Sequence, residues 1–135
     1  MSNELTQETE ADETHKFREY KAIVKVLETY VQTAVTGDGA LVKETFFDNA
    51  TVVGSMNGTF MNTDAIGFKS AVDEFPASPD VESQIAWIDI SGPAAAVKLE
   101  SINWLGTRFT DYLVLYKHEG EWKFTGKVYD AHSKN

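Results

Sequence analysis

The sequence predicts an α+β fold in which three helices of the N-terminal half pack against one face of a mostly antiparallel sheet. Three observations predict it. Apolar residues recur at helical spacing from Lys16 to Thr36. A short hairpin and a further helical pattern, ended by Pro76, come next. From Val81 onward the chain reads as strands separated by tight turns. The order α-α-β-β-α-β-β-β-β is typical of one α+β domain.

The helical half contains three helices and one hairpin. The first helix carries a continuous apolar stripe, and a short second helix lies around Leu41. Asn57-Gly58 predicts a hairpin turn, because both residues tolerate a positive φ. Asn62 or Thr63 is the expected cap of the third helix, within "TDAIGFKSAVDEF". The stripe of the first helix consists of Tyr20, Ile23, Val24, Leu27, Tyr30, Val31 and Ala34.

The β half forms a meander of four strands, whose register can be predicted from the turns. A two-residue Glu119-Gly120 loop pairs His118 with Glu121, which then sets Leu113 opposite Gly126 and Asp111 opposite Val128. A three-residue loop with Gly106 in a left-handed conformation sets Leu99 opposite Asp111. The Gly92-Pro93 turn then pairs Ala86 with Leu99 and Gln84 with Ser101. The strands are 81–91, 94–104, 107–117 and 121–130.

This register places the carboxylate of Asp111 on the apolar face of the sheet, where it needs a partner. Small and polar residues gather beside it, which is typical of a pocket rather than a packed core. Asp111 could be a structural acceptor bonded to Tyr30, a ligand anchor or a general base. Tyr30 could be a core residue, or could donate to Asp111 or to a ligand. The catalytic candidates are therefore Asp111 and Tyr30, and the ligand-binding candidates are Asp111, Tyr30, Ser101, Gln84, Phe47 and Phe68.

Composition limits the classes of function. The chain has 135 residues, no cysteine and a net charge of −9. This charge argues against nucleic-acid binding, which depends on neutralising phosphates. No apolar stretch approaches the ~18 residues of a membrane span. We expect no metal site and no cofactor, a cytoplasmic location, a flexible acidic tail over residues 1–15 and one domain over residues 16–132.

Three stretches resemble the nuclear transport factor 2-like superfamily, and within it the branch described as lumazine-binding. They are "YVQTAVTGDGALVKETFFDNATVVG", "IDISGPAAAVKLES" and "FTDYLVLYKHEGEWKFTGKV", within Ile23 to Tyr129. The resemblance implies that the sheet is curved into a cystatin-like cone with a pocket at its mouth. Relatives include ketosteroid isomerases, scytalone dehydratase, polyketide cyclases and binding modules, so the fold does not settle function. Phe47 stands where the branch often has a histidine, and Tyr129-Asp130 stands where its last strand often has Phe-His.

Three functions follow from these observations. The first is a domain that binds a small apolar or aromatic molecule. The second is an enzyme of the isomerase or dehydratase kind that uses Asp111 as acid or base. The third is a dimeric interaction module with a collapsed pocket. The outer face of the sheet is rich in apolar and aromatic residues, which predicts a homodimer formed sheet to sheet. The residues expected at that interface are Trp87, Tyr112, Val114 and Tyr116.

Overall fold

The computed structural model describes the backbone of residues 2–134 and the side chains of residues 13–132. Its order of elements confirms the predicted fold class. The first helix begins before Lys16, and the predicted flexible tail falls largely on residues whose side chains lie outside the described part. The elements are α1 (Ser2–Thr36), α2 (Ala40–Thr45), β1 (Phe46–Met56), β2 (Thr59–Asp64), α3 (Ala65–Glu74), β3 (Glu82–Ser91), β4 (Ala94–Trp104), β5 (Thr107–His118) and β6 (Glu121–Lys134).

The six strands form one sheet in the order β2-β1-β6-β5-β4-β3, in which only β1 and β6 run parallel. The hairpin turn at Asn57-Gly58 is confirmed, with φ of 51° and 79°. The cap of α3 is Asp64 rather than the predicted Asn62 or Thr63, because its carboxylate accepts the backbone N–H of Gly67 at 2.9 Å. The β1–β2 hairpin therefore leads directly into α3 and fixes its first turn.

The core lies between the helices and the concave face of the sheet, where Ile23, Leu27 and Tyr30 of α1 are buried. A buried polar contact also attaches α1 to the β5–β6 hairpin. Glu19 accepts Lys117 Nζ at 2.7 Å and Trp122 Nε1 at 2.6 Å. These contacts orient α1 over the concave face, which we distinguish below from the outward-facing convex face.

The β5–β6 register agrees with the prediction near the turn and departs from it beyond a β-bulge. His118 pairs with Glu121 and Leu115 with Phe124, as predicted. Val114 then pairs with Gly126, so β6 contains an extra residue, Thr125. Such a bulge puts two residues of one strand opposite one residue of its partner and shifts everything beyond it.

The predicted partners beyond the bulge were therefore wrong by one position. Leu113 lies opposite Lys127, and Asp111 lies opposite Tyr129. Lys127 is buried at 3% exposure, whereas Val128, expected inside, is 56% exposed. The bulge thus turns an amine and a phenol inward.

A second bulge corrects the predicted position of Gln84. Ala86 is the extra residue in β3, so Ile85 rather than Ala86 lies opposite Leu99. Gln84 lies opposite Glu100 instead of Ser101, and its side chain is exposed. It does not join the buried face that the alternating pattern predicted.

A third irregularity lies between β4 and β5. Leu99 does lie opposite Asp111, as predicted. The predicted three-residue loop was wrong, because Trp104 pairs with Thr107 across a two-residue turn of Leu105-Gly106. The extra residue lies within the strand, where the register shifts between Ser101 and Trp104. This shift turns the Trp104 ring into the core, where it is 6% exposed.

Candidate functional site

A cavity of about 120 Å³ lies between α3, the β1–β2 hairpin, the β4–β5 turn and β6. Its walls are mostly apolar, and the side chains of Lys127, Tyr129 and Thr63 bring the polar groups. An engineered apolar cavity of about 150 Å³ binds benzene, so this volume suits roughly one small ring. The lining residues are Val52, Met56, Met61, Thr63, Gly67, Phe68, Ala71, Phe75, Trp104, Leu105, Phe109, Lys127 and Tyr129.

Glycine at position 54 of β1 lets the ring of Tyr129 lie across that strand. A Cβ on Gly54 would come within 2.5 Å of the Tyr129 ring, which is closer than such contacts allow. A Cβ on Gly67, in the first turn of α3, would likewise collide with Thr63 Oγ1. Both glycines therefore permit the close packing that shapes the cavity wall.

Lys127 extends into a cage of four aromatic rings. Its Nζ lies 4.4 Å from the ring centroid of Phe68 and 4.8 Å from that of Trp104. The rings of Tyr30 and Tyr129 follow at 5.0 and 5.2 Å. Each ring face attracts a cation by about 0.5–2 kcal/mol. The cage therefore partly replaces the water that the amine loses on burial.

The amine of Lys127 makes no hydrogen bond and no ion pair with any described side chain. A lysine is almost never buried unless it is paired, so this arrangement is unusual. Burial lowers the pKa of Lys127, and the nearby carboxylate of Asp111 raises it by less. We expect the neutral amine to be more abundant here than on an exposed lysine at the same pH.

Asp111 and Tyr30 form a hydrogen bond behind the amine. Tyr30 Oη donates to Asp111 Oδ2 at 2.6 Å, and Asp111 Oδ1 has no partner among the described residues. Burial, followed by the charge of Asp111, raises the pKa of Tyr30 well above its ordinary value. Tyr30 therefore stays protonated as the donor, and the carboxylate supplies negative potential close to Lys127.

Tyr129 is half-buried and shares the cavity wall with Lys127. Burial, and to a smaller extent Asp111, raises the pKa of Tyr129. Its hydroxyl is therefore protonated near neutral pH, and it can donate a hydrogen bond to an oxygen atom in the cavity.

The structure brings together only part of the set of residues predicted from sequence. Asp111 and Tyr30 lie together in the core behind Lys127, and neither lines the cavity directly. Phe68 lines the cavity, Ser101 is buried outside it, and Phe47 is half-buried away from it. The predicted register set Val128 opposite Asp111 on the apolar face, which put its neighbour Lys127 on the convex face. The sequence analysis did not single out Trp104 or Tyr129 as cavity residues.

No three His, Cys, Asp or Glu side chains among the described residues lie close enough together to hold a metal ion. None of the described helices combines the length and apolar character needed to cross a bilayer.

The curved six-stranded sheet on three helices is the cone of NTF2-like proteins, and solved structures share it. An NTF2-like protein of unknown function from Shewanella baltica OS155 superimposes with a TM-score of 0.81 and 32% identity, over 87% of this chain and 97% of that one. Another from Silicibacter pomeroyi DSS-3 has a TM-score of 0.80 and 28% identity, over 87% and 98%. The fold class is thus that of NTF2-like domains.

Residues 18–130 match the family described as "Putative lumazine-binding". The chain belongs to this lumazine-binding family of the NTF2-like superfamily. A relative from Cladobotryum sp., named aldolase FrzH, is 24% identical over 117 residues, which cover 86% of this chain and 94% of that protein. The family description points to the binding of a small ligand, and the fold is that of NTF2-like domains.

Proposed function

We propose that this protein binds a small, mainly apolar molecule, with one ring or a short chain, that carries a carbonyl or carboxylate oxygen. The observation that supports this most strongly is the amine of Lys127, a residue that lines an apolar cavity and has no hydrogen-bond partner among the described residues. Its Nζ is not one of the fully buried polar atoms that lack a partner, so it keeps surface that a ligand can reach. An oxygen of the ligand can accept a hydrogen bond from Nζ, and Tyr129 would supply a second donor.

The size of the cavity narrows the ligand class. About 120 Å³ suits a single ring, whereas a fused two-ring compound such as lumazine is larger. A two-ring ligand would have to displace residues at the rim, such as Met61, which is 39% exposed. We therefore infer that single-ring carbonyl compounds bind more tightly than lumazine. The cavity also argues against the interaction module with a collapsed pocket.

A thermal-shift screen tests this proposal. Single-ring ketones, aldehydes and carboxylates are compared with the corresponding hydrocarbons and with lumazine. A ligand at 100 times its Kd stabilises the folded state by about 2.7 kcal/mol, which raises Tm by several degrees. Lys127→Met should abolish the advantage of the oxygenated ligands, whereas Lys123→Met, on the same strand, should keep it. Failure of every compound to shift Tm would contradict the proposal.

An enzyme of the isomerase, dehydratase or aldolase kind is the second candidate. The name of the aldolase relative and the Tyr30–Asp111 pair beside the cavity favour it. Direct acid–base catalysis by Asp111 needs contact with substrate, yet its side chain does not line the cavity. Lys127 and Tyr129 are better placed to meet substrate.

We also propose that the protein forms a two-fold homodimer through the convex face. Trp87, Tyr112, Val114 and Tyr116 point outward there and are 45%, 46%, 48% and 46% exposed. These apolar side chains lie on β3 and β5, on either side of β4, and such a surface suits a self-complementary interface. Sedimentation should show a dimer at micromolar concentration, and Val114→Lys should shift it towards monomer. Phe60→Ser, on the exposed β1–β2 hairpin, is the control, and a monomeric wild type would contradict the proposal.

Three expectations drawn from composition remain predictions. They are the cytoplasmic location, the absence of a nucleic-acid partner and the absence of a cofactor. The cysteine-free sequence still supports a cytoplasmic location, and the net charge of −9 still supports the absence of a nucleic-acid partner.

A further inference from the structure

Lys127 differs from the other lysines whose side chains the structure describes. It alone among them is buried, and it alone lines the cavity. A structural role would be simplest if the amine formed an ion pair with Asp111. No ion pair joins them within 4.0 Å, and the carboxylate is already bonded to Tyr30 through Oδ2. Asp111 therefore does not occupy the amine, and the Lys127 side chain lines the cavity in which a ligand would lie.

We propose that Lys127 forms a reversible covalent imine with an aldehyde or ketone that occupies the cavity. This inference rests on the proposed function, since it requires a carbonyl compound in the cavity. The lone pair of the neutral Nζ attacks the carbonyl carbon, a C–N bond forms as the C=O π bond breaks, and oxygen gains one proton while nitrogen loses one. The C–O bond of the carbinolamine then breaks, oxygen takes a second proton and leaves as water, and nitrogen forms the C=N bond and gives up its second proton, so no oxidant or reductant is needed.

Three features of the surroundings of Lys127 favour formation of the imine. Burial lowers the pKa of Lys127, which increases the fraction of neutral, nucleophilic amine. Tyr129 keeps its proton and can donate it towards the carbonyl oxygen. The protonated imine carries the same charge as the ammonium, so the four rings and Asp111 also attract it.

Reductive trapping tests this inference on the intact chain. The protein is incubated with benzaldehyde or cyclohexanone in the presence of sodium cyanoborohydride, which reduces an imine to a stable secondary amine. Peptide mass spectrometry then gives the rate of labelling at each lysine. Lys127 should be labelled faster than exposed Lys43, because each unit by which its pKa lies lower gives about tenfold more neutral amine. Its labelling should also reach a plateau at lower pH.

The controls separate this inference from the binding proposal. Toluene, which has the ring but no carbonyl, should protect Lys127 from labelling and leave exposed Lys43 unaffected. The fast-labelled peptide should be absent from Lys127→Met and present in Lys123→Met. The mapping of labelled lysines in the wild-type protein does not require either variant to fold. A ligand-induced rise in Tm without labelling at Lys127 would overturn the imine and leave the binding proposal standing. Neither a rise in Tm nor labelling would overturn both.

Discussion

Asp111→Asn measures how strongly the buried carboxylate interacts with the amine of Lys127. The carboxylate accepts a 2.6 Å hydrogen bond from Tyr30, while Oδ1 has no partner. The substitution removes the charge and disturbs that hydrogen bond. We expect the free energy of unfolding to fall by about 1–3 kcal/mol near neutral pH.

The distance between Asp111 and Lys127 limits how much of this loss in unfolding free energy comes from their attraction. Two unit charges 4 Å apart attract by about 4 kcal/mol at an effective dielectric constant of about 20. Asp111 and Lys127 lie beyond the 4.0 Å ion-pair distance, so their coupling must be smaller. We expect about 1–3 kcal/mol, which means that Asp111→Asn should cost correspondingly less when Lys127 is already methionine.

Urea unfolding of wild type, both single variants and the double variant gives this coupling directly. Measurements from about pH 6 to about pH 9 add a second criterion. Because burial lowers the pKa of Lys127, its charge should disappear at lower pH than that of an exposed lysine, and the coupling should fall with it. A coupling within about 0.5 kcal/mol of zero at every pH would refute the reasoning.

Two further substitutions test the packing around the site. Glu19→Gln should lower the free energy of unfolding by about 1–3 kcal/mol at neutral pH, because Lys117 and Trp122 lose a charged acceptor. The hydrogen bond from Lys117 lowers the pKa of Glu19, so this difference should be full above the ordinary value of 4.5 and shrink as pH falls below it; a constant difference in acid would contradict the role of the charge. Gly54→Ala should cost about 1–3 kcal/mol and weaken ligand binding, because the new Cβ displaces Tyr129. Ser55→Ala, an exposed neighbour, should be nearly neutral in urea unfolding and thermal-shift binding, and equal behaviour of the two variants would rule out the clash.

The turns at Asn57-Gly58 and Glu119-Gly120 were the most predictable part of the molecule, because both have local signatures for positive φ. The outward aromatic residues of the convex face also followed from alternation. The bulges at Ala86 and Thr125 could not be predicted from the sequence, because an extra residue in a strand has the same local pattern as any other strand residue. Packing of the whole sheet decides where such a residue is accommodated.

The consequences for the site differ between the two bulges. The bulge at Ala86 sends Gln84 to the convex face and removes one predicted polar group. The bulge at Thr125 brings Lys127 inside, where strict alternation would have put it in solvent. Asp111 and Tyr30 were predicted as possible partners from local patterns. Helix periodicity put Tyr30 on the apolar stripe of α1, and alternation along β5 put Asp111 on the same face as Leu113. Neither pattern depends on the shifted half of β6.

The cage around Lys127 also provides the protein with an optical reporter. Trp104 is one of three tryptophans, and its ring centroid lies 4.8 Å from Lys127 Nζ. An electric field changes the emission energy of an indole, so loss of a proton at Nζ should shift the fluorescence of Trp104. Trp87 is exposed on the convex face and Trp122 is bonded to Glu19, so both can be replaced without touching the cavity wall. A protein that retains only Trp104 would report the charge of the amine, and the occupancy of the cavity, without an added label.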